Sequence, residues 1–268
     1  IKRDLEYYIE HIGPDLIMFQ DDSFLARPAK EIFEFCEMWK EYKIPFWFNT
    51  RIENCKAEYL EALKEAGVYR MTFGLESGNA EYRKKYLHRP TRDSIYDDYL
   101  KIINDSDIPY SLNILIGMPF ETREMVMDSA RMVRSARGYD GLTVSMFQPY
   151  HGTKLRDMAV EAGFMDPDLI LSGGFLDSYF LKMPKPYLQP DEVFALNKTF
   201  ALYAYYEDDK WPLIRKAEKD DNLFEELMNE YKKEFYMGKY QVGGKTRINH
   251  LNGCVKHDSS SSYIYEVA

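Results

Sequence analysis

Between residues 15 and 147, short apolar runs alternate with longer amphipathic stretches, and this alternation constrains the fold more than any other feature. Each apolar run has the length of a strand, and each amphipathic stretch has the spacing of a helix with one apolar face. Repeated strand–helix units produce parallel strands joined by right-handed crossovers. The sequence therefore predicts an α/β domain. The five predicted strands are Leu16–Phe19, Phe46–Phe48, Val68–Phe73, Tyr110–Ile116 and Leu142–Phe147.

The stretches between the strands carry helix start and stop signals. Pro28 stands where the first helix can begin, Gly67 and Gly138 stop two others, and Thr153 is a suitable N-cap. After residue 165 the pattern changes to an extended segment, then helices, then loop-like sequence from Gly238. The predicted helices span residues 28–42, 56–66, 79–87, 93–106, 121–136, 153–162, 190–208, 210–217 and 221–237.

Five strands are too few for a closed eight-stranded barrel. The first run, Leu16–Phe19, has the continuous apolar pattern of a strand that is buried on both faces. The chain opens on a helix, Ile1 is not an initiator methionine, and no strand precedes that helix. We therefore expect a piece of an open barrel that lacks its first strand. The predicted domains are a barrel core over 1–165 and a mainly helical extension with a flexible tail over 166–268.

The composition narrows the possible environments and partners. A formal net charge of -9 gives no support for nucleic acid or an anionic membrane as a partner. No apolar run approaches the roughly 18 residues of a transmembrane helix, and no signal peptide is visible. The three cysteines, Cys36, Cys55 and Cys254, are too few and too scattered for a disulfide framework. They indicate a reducing compartment, and we expect a cytoplasmic protein.

Polar, often glycine-containing turns follow all five predicted strands. The carboxyl ends of parallel strands are where α/β proteins bind their ligands. We therefore expect these turns to form the rim of one site. The five turns are Phe19–Asp22, Phe48–Arg51, Phe73–Asn79, Ile116–Pro119 and Phe147–Tyr150.

The order and spacing of these motifs resemble the radical S-adenosylmethionine (radical SAM) superfamily. The segments that carry the resemblance lie within residues 1–165 and read FQDDSF from Phe19, NTR from Asn49, FGLESGN from Phe73, IGMPFET from Ile116 and PYHGTKL from Pro149. Within the superfamily, the pattern is most similar to the branch whose members often carry a cobalamin-binding domain ahead of the radical domain.

The resemblance implies a partial, TIM-like (β/α)6 barrel and a defined set of cofactors. Three cysteines in a C-x3-C-x2-C loop after the first strand hold a [4Fe-4S] cluster in this family, and S-adenosylmethionine binds the fourth iron. Reductive cleavage then supports radical chemistry or methyl transfer on a small-molecule or peptide substrate. The resemblance also implies an electron donor such as flavodoxin or ferredoxin, and an upstream cobalamin-binding domain.

The resemblance assigns the first two strand ends to the methionyl part of the cofactor. Asp21 and Asp22 suit its ammonium group, because charge-assisted hydrogen bonds are the stronger ones. Their alternative role is to cap the following helix. Arg51 suits the cofactor carboxylate, with an ion pair to Asp22 or Glu76 as the equal alternative.

The remaining strand ends correspond to the adenosyl part. Glu76 and Ser77 match the strand end that contacts the ribose, where a carboxylate can accept from vicinal hydroxyls. Ile116 and Gly117 match the strand that packs on adenine, and Gln148 and Tyr150 match the turn that meets its edge. Glycines at 74 and 78 are expected to allow close approach of the backbone. No catalytic residue and no metal ligand is assigned.

The sequence departs from the family pattern because it contains no C-x3-C-x2-C loop. Since that loop belongs with the absent first strand, we expect both to precede Ile1 in a longer gene product, and the fragment alone to be inactive. Two other functions stay open. One is a divalent-metal hydrolase or lyase that uses Asp21, Asp22 and Glu76 as oxygen ligands. The other is a non-catalytic binding module that kept the barrel.

Overall fold

The structure is a computed structural model that describes residues 2–136, 138–171, 178–240 and 263–265, the backbone alone at 236–240 and 263–265. No helix in these ranges is both long and apolar enough to cross a membrane. The strands are β1 (Ile17–Phe19), β2 (Phe46–Thr50), β3 (Val68–Glu76), β4 (Tyr110–Ile116), β5 (Gly141–Met146) and β6 (Tyr263–Tyr265). The helices are α1 (Lys2–His11), α2 (Ala29–Trp39), α3 (Ala57–Glu65), α4 (Ala80–Tyr86), α5 (Asp93–Asp105), α6 (Arg123–Ala136), α7 (Lys154–Glu161), α8 (Pro190–Tyr205), α9 (Trp211–Ala217) and α10 (Asp221–Tyr240), with 3-10 turns at Ile52–Asn54 and Asp208–Lys210.

The strands form one sheet in chain order, from β1 to β6. β1 pairs with β2 in parallel, and so does β2 with β3, with Phe48 opposite Met71 in the second pair. At least one helix separates each of the first five strands from the next. The predicted α/β architecture with a parallel sheet is therefore confirmed.

β6 was not predicted. It pairs antiparallel with β5, placing Ile264 opposite Thr143, in a region where we expected only loop. Its sequence, Tyr-Ile-Tyr, consists of residues that favour strands, but three residues are too short a run to be recognised without a partner strand. The glycines and serines on which the loop prediction rested, at 243–244 and 259–262, lie outside the described residues.

Helix boundaries follow the predicted signals to within a few residues. Pro28 is the N-cap of α2, and Asn79 caps α4 by accepting from the Tyr82 N–H at 2.8 Å. Thr153 takes the N-cap position of α7 but makes no capping hydrogen bond. Its hydroxyl instead donates to the Tyr150 carbonyl at 2.8 Å, because the turn before α7 brings that oxygen within reach.

The chain divides into two compact units, which are described separately below. The first comprises Ile1–Leu75 and Arg92–Leu112, and the second comprises Glu76–Thr91 and Asn113–Ala268. These units do not follow the boundary that we drew between residues 165 and 166, which stays a prediction.

In the first unit, an aromatic cluster fills the space between the sheet and α2. Phe46 and Phe48 are fully buried on one face of β2, and the Phe48 and Phe24 rings stack with centroids 4.5 Å apart. β1, however, is not buried on both faces as predicted, because Met18 is 40% exposed and its neighbours are only half-buried. The physical reason is that β1 is a three-residue edge strand with one neighbour.

In the second unit, α8 is the central helix of the extension. It is buried along most of its length, and the Asn197 side chain donates to the Val144 carbonyl of β5 at 2.9 Å. α6 is joined to α8 and α9 by a buried polar group, in which Arg123 pairs with Glu218 and both contact the Tyr203 hydroxyl. Helix α8 and Glu218, which follows α9, thus contact β5 and α6 of the second unit directly.

Candidate functional site

In the first unit, the loop after β1 folds back onto the end of β2. The Phe24 N–H donates to the Asn49 carbonyl at 2.9 Å, and Ser23 Oγ lies 3.2 Å from Thr50 Oγ1. The Thr50 hydroxyl also accepts from the Leu25 N–H at 3.3 Å. The two predicted motifs at residues 19–24 and 49–51 are therefore held together by backbone and side-chain hydrogen bonds.

The two aspartates of this loop differ in their surroundings. Asp21 accepts from Arg27 Nη2 at 2.6 Å in a half-exposed ion pair. Asp22 is exposed, and no hydrogen bond or ion pair holds its carboxylate within the described residues. Neither aspartate caps α2, since that helix begins at Ala29 and has no side-chain cap. Asp22 is therefore the carboxylate that remains available to a ligand.

Arg51 follows β2 with an extended backbone, at φ -98° and ψ 146°. Its side chain is exposed, and its guanidinium forms no ion pair within the described residues of the first unit. The alternative ion pair with Asp22 is therefore not formed, and the pairing with Glu76 stays a prediction. An extended, unpaired guanidinium is free to bind an anion.

In the second unit, Glu76 ends β3 in the left-handed backbone region, with φ 64°. This conformation costs a non-glycine residue roughly 1–2 kcal/mol, and such strained residues concentrate at functional sites. The side chain is half-buried. Glu76 thus combines a half-buried carboxylate with a backbone conformation that glycine would adopt with less strain.

The next three residues connect β3 to α4 and are mostly buried. Ser77 is 0% exposed, its hydroxyl accepts from the Asn79 N–H at 3.3 Å, and its carbonyl accepts from Arg83 at 3.1 Å. A Cβ on Gly78 would lie 2.4 Å from the Ser129 Cα, so this glycine allows α6 to approach. The contacts of these residues thus hold the β3–α4 connection against α6 and within its own turn.

Residues 117–121 form a tight turn after β4, which we call the β4 turn. Glu121 Oε2 accepts from the backbone N–H groups of Gly117 and Met118 at 2.7 and 3.2 Å, and the Tyr82 hydroxyl donates to the Pro119 carbonyl at 2.8 Å. Glu121 is fully buried, and burial raises the pKa of its carboxyl to about 8 despite those two bonds. The sequence predicts that a helix begins at Glu121, but α6 begins two residues later. The reason is that the Glu121 side chain closes the β4 turn.

Gly117 has φ 78°, and the space beside its Cα is already filled. An added Cβ would lie 2.6 Å from Tyr179 Cε2 and 3.0 Å from Val193 Cγ1. The Tyr179 hydroxyl also donates to the Gly117 carbonyl at 2.8 Å, and burial raises the pKa of that phenol. Ile116 is 0% exposed, so its side chain lies in the core. Leu115, on the opposite face of β4, is half-buried.

The turn after β5 lies beside the end of β4, because the Phe147 N–H donates to the Ile116 carbonyl at 2.8 Å. Gln148 is half-buried, and its Nε2 donates to the Ser178 carbonyl at 2.9 Å. Tyr150 is 55% exposed. The structure thus brings the ends of β4 and β5 together with residues 178–179 of the extension.

Arg156 donates hydrogen bonds that hold the turn after β5, and the sequence analysis did not predict this role. It is 4% exposed and donates to the carbonyls of Pro149, Pro167 and Leu169 at 2.9, 2.9 and 2.8 Å. Its three acceptors are backbone atoms, so no side-chain pattern marks them in advance. The guanidinium fork suits such convergence, since it presents five donors in a fixed plane.

The described residues do not fit an iron–sulfur cluster. They contain no group of three or more His, Cys, Asp or Glu side chains that could hold a metal ion. Cys36 and Cys55 are 1% and 0% exposed, and burial raises the pKa of both thiols, that of Cys36 to about 11. Cluster ligands are thiolates, so neither cysteine is suited to the role. Cys254 lies outside the described residues.

The chain is similar in sequence to a curated protein and matches several solved structures in part. The chain is 25% identical over 170 residues to cytidylyl-2-hydroxyethylphosphonate methyltransferase from Streptomyces wedmorensis, covering 59% of this chain and 31% of that protein. The chain thus spans about a third of that relative's length. Among solved structures, the radical S-adenosylmethionine methyltransferase TsrM from Kitasatospora setae, with cobalamin and a [4Fe-4S] cluster bound, has a TM-score of 0.48 at 15% identity over 72% of this chain and 39% of TsrM.

Coproporphyrinogen III oxidase (HemN) from Escherichia coli, described as a radical SAM enzyme, has a TM-score of 0.46 at 15% identity over 55% of this chain and 36% of HemN. The sequence profile of the Radical SAM superfamily matches residues 1–133, which contain four of the five strand-end motifs. Residues 1–133 therefore belong to the radical SAM superfamily.

Proposed function

We propose that this chain is the S-adenosylmethionine-binding part of a radical SAM enzyme that modifies an organic substrate. The observation that carries the proposal is the family match over residues 1–133, within which polar side chains follow each of the first four strands. The available groups are of the types that the cofactor needs: carboxylates for its ammonium and ribose hydroxyls, and a guanidinium for its carboxylate.

In the first unit, the proposed ligands of the methionyl group are Asp22 and Arg51, with Asp21 in support. Asp22 and Arg51 are exposed and unpaired among the described residues, so a ligand need not break an existing ion pair to reach them. Asp21 is held by Arg27 at 2.6 Å, which supports a role in fixing the loop. Charge-assisted hydrogen bonds to a zwitterion contribute most where both partners are oriented in advance.

In the second unit, the proposed ligands of the adenosyl group are Glu76, Gly117, Gln148 and Tyr150. The strained backbone of Glu76 supports a carboxylate held for the ribose hydroxyls. Tyr150 is 55% exposed and can cover the base. Ser77 and Ile116 are fully buried, and we propose that they act by holding their neighbours in place.

We propose that the cysteine loop for the [4Fe-4S] cluster is carried by sequence upstream of residue 1. The edge position and partial exposure of β1 support this, since another parallel strand can pair there. In the superfamily, the cluster and S-adenosylmethionine together supply a 5′-deoxyadenosyl radical or a methyl group. The residues described above would bind and orient the cofactor for either reaction.

Within this proposal, methylation of a small-molecule or peptide substrate is the preferred reaction, because the curated relative is named a methyltransferase. A cobalamin domain ahead of the barrel and a flavodoxin or ferredoxin as electron donor complete the proposed system. Buried free cysteines at 36 and 55 support a reducing compartment, for which we propose the cytoplasm.

The proposal is tested by two measurements. Equilibrium dialysis should detect binding of S-adenosylmethionine to the chain, and binding should weaken when Asp22 and Arg51 are both replaced by alanine. The protein produced from its whole reading frame, reconstituted with iron and sulfide without oxygen, should cleave S-adenosylmethionine when reduced. Absence of an upstream C-x3-C-x2-C loop would instead favour the non-catalytic binding module. Binding of Mg²⁺ or Mn²⁺ without any binding of S-adenosylmethionine would favour the hydrolase or lyase.

A further inference from the structure

In the second unit, aromatic rings from four parts of the chain pack into one cluster around Phe120 of the β4 turn. The Phe120 ring centroid lies 5.3 Å from that of Tyr86, on α4, in a stacked arrangement. It lies 5.0 Å from the centroid of Phe164 and 5.6 Å from that of Tyr187, both edge-on. Phe164 is buried, but the other three rings are only half-buried. We call these three, Tyr86, Phe120 and Tyr187, the aromatic surface.

Hydrogen bonds fix the backbone on which the aromatic surface is built. The Phe120 N–H donates to Met183 Sδ at 3.3 Å, and Phe120 has a left-handed backbone, with φ 65°. The Tyr187 N–H donates to the Pro184 carbonyl at 3.1 Å, and the Tyr187 carbonyl accepts from Gln189 Nε2 at 2.8 Å. Side chains that are ordered before a ligand arrives lose less conformational entropy when they bind it.

Lys85 places a positive charge on the aromatic surface. Its Nζ lies over the Tyr86 ring, 4.7 Å from the ring centroid. A hydrogen bond to the Tyr86 side chain and, more weakly, the nearby Tyr187 side chain raise the pKa of Lys85. The ammonium group itself is exposed, so it can also reach a ligand.

Two further exposed lysines flank the same rings. The Lys182 N–H donates to the Phe164 carbonyl at 2.7 Å, and Lys185 lies two residues before Tyr187. The protein as a whole has a formal net charge of -9. A local group of three lysines around exposed rings therefore favours an anionic ligand at this place and not over the surface in general.

The aromatic surface lies close to the proposed cofactor site. Phe120 follows Gly117 by three residues, so their Cα atoms are at most about 11 Å apart. Gly117 is one of the residues that we propose as ligands of the adenosyl group. A molecule on the aromatic surface is therefore within reach of the reactive part of the cofactor.

We propose that the aromatic surface and its three lysines bind the organic substrate, and that this substrate carries a flat ring and an anionic group. The inference rests on the proposed function, because it takes S-adenosylmethionine to bind beside the β4 turn. The substrate ring packs against Phe120 and Tyr187, since stacked and edge-on contacts between rings are both favourable. The anion lies near the ammonium groups, whose attraction extends over about 10 Å at ordinary ionic strength.

The experiment measures the affinity of the full chain for three probes by ligand-observed NMR. 1-Naphthyl phosphate carries a ring and an anion, 1-naphthol carries the ring alone, and inorganic phosphate carries the anion alone. We expect 1-naphthyl phosphate to bind at least about threefold more tightly than 1-naphthol, because several exposed charges each contribute a small amount. Inorganic phosphate should bind at least about tenfold more weakly than 1-naphthyl phosphate, because it lacks the ring.

The double variant Lys85→Gln with Lys185→Gln removes two exposed charges and leaves the rings in place. It should weaken the binding of 1-naphthyl phosphate by about threefold to tenfold and leave 1-naphthol unaffected. The matched control is Lys101→Gln with Lys216→Gln, which removes exposed lysines of α5 and α9 and should change neither affinity. Binding of S-adenosylmethionine should be the same in all these proteins.

A ring variant provides the second arm. Tyr187→Leu keeps an apolar side chain but removes the ring, and should weaken both ring probes by about threefold. Tyr7→Leu, at an exposed tyrosine of α1, is its control and should leave both affinities unchanged. Saturating 1-naphthyl phosphate should not displace S-adenosylmethionine, since the two are proposed to lie side by side.

In a chain that binds S-adenosylmethionine, any of three results overturns this inference and leaves the proposed function intact. They are no binding of 1-naphthyl phosphate, an unaltered affinity for it in the double lysine variant, and its displacement of S-adenosylmethionine. A chain that binds 1-naphthyl phosphate through these lysines but does not bind S-adenosylmethionine overturns the proposed function, and with it the assignment of the surface to a substrate. A chain that binds neither overturns both.

Discussion

Glu76 combines a strained backbone with a charge at the end of β3. With φ 64°, it occupies a conformation that glycine adopts freely and glutamate does not. Its neighbours Ser77 and Gly78 are committed to packing, by burial in one case and by contact with Ser129 in the other. The carboxylate of Glu76 is therefore the group in this segment whose proposed role in binding is tested first.

Substitutions at Glu76 should separate the proposed contribution of its carboxylate to binding from the cost of its left-handed backbone. Glu76→Gly and Glu76→Ala should both weaken the binding of S-adenosylmethionine by roughly 1.5–3 kcal/mol for each hydrogen bond lost. Glu76→Gly should be the more stable of the two by about 1 kcal/mol, because it relieves the left-handed backbone. Equilibrium dialysis measures the first effect and urea unfolding the second. Glu225→Gln, on the exposed face of α10, is the control, and unaltered binding in both variants would remove Glu76 from the site.

Glu121 is a second carboxyl with an unusual environment. Burial raises its pKa from 4.5 to about 8, so the folded protein keeps a proton that the unfolded chain releases at lower pH. Between these two pKa values the unfolded state binds fewer protons, and the free energy of unfolding must fall as pH rises.

Glu121→Gln should therefore flatten the dependence of stability on pH. In urea unfolding at pH 5, 6.5 and 8, the native chain should lose stability relative to the variant as pH rises across the window from 4.5 to about 8. Gln keeps an oxygen for the N–H groups of Gly117 and Met118, so the turn should still close. Identical pH profiles for the two proteins would show that the buried carboxyl does not titrate in this range.

What the sequence predicted of the candidate site was the position of exposed charged side chains after strands. Asp22 and Arg51 follow strands and remain exposed, as the polar strand ends indicated. Tyr179 and Arg156 were not predictable, because they act through backbone carbonyls such as those of Gly117 and Pro149. When a side chain donates to a backbone carbonyl, no complementary side chain marks the contact in the sequence.

At the scale of elements, the contact between the β3–α4 connection and α6 depends on a glycine. The Gly78 N–H donates to Ser129 Oγ at 2.7 Å, and an added Cβ would lie 2.4 Å from the Ser129 Cα. Backbone atoms cannot move aside as a flexible side chain can. The approach of α6 thus excludes every residue larger than glycine at this position.

Gly78→Ala should destabilise the protein by about 1–3 kcal/mol, because the overlap must be relieved by a backbone shift. Gly152→Ala is the informative control: nothing lies within 4 Å of its added Cβ, although its φ is 81°. It should cost only the roughly 1 kcal/mol of a left-handed alanine. Urea unfolding of both variants tests the difference, and a Gly78 variant as stable as the native chain would contradict the contact.

The ion pair between Arg123 of α6 and Glu218, which follows α9, gives a second prediction at the scale of elements. Glu218 is 5% exposed and Arg123 is 18% exposed at their side chains, so removing one partner leaves a largely buried charge. Glu218→Ala should cost about 3–5 kcal/mol. The double variant Arg123→Met with Glu218→Met should recover most of that loss, since replacing both charges by apolar groups is often close to neutral. A double variant that is less stable than Glu218→Ala would contradict this account.

The positions of the first five strands were predicted more accurately than the residues at which they end. β4 lies where the apolar run placed it, whereas β3 continues from the predicted Phe73 to Glu76, through a glycine that normally weakens a strand. β6 was missed because its pairing with β5 joins segments about 120 residues apart. Local patterns identify buried strands, but the extent of pairing is a property of the partner strand.

At the scale of the whole molecule, the residues that we propose as cofactor ligands fall in both compact units. Asp21, Asp22 and Arg51 lie in the first unit, and Glu76, Gly117, Gln148 and Tyr150 lie in the second. The family match ends at residue 133, yet Gln148 and the residues that fix it lie beyond that point. Residues 178–179 of the extension contact both Gly117 and Gln148.

Hydrogen exchange with and without S-adenosylmethionine tests the central claim most directly, because a bound ligand slows local opening wherever it contacts the chain. Slower exchange is predicted together in five segments, residues 20–24, 49–51, 74–79, 116–118 and 147–150. No change in α10, far along the chain from these turns, is the internal reference. Protection confined to one strand end, or absent from all five at saturating ligand, would contradict the claim that these turns bind a single cofactor.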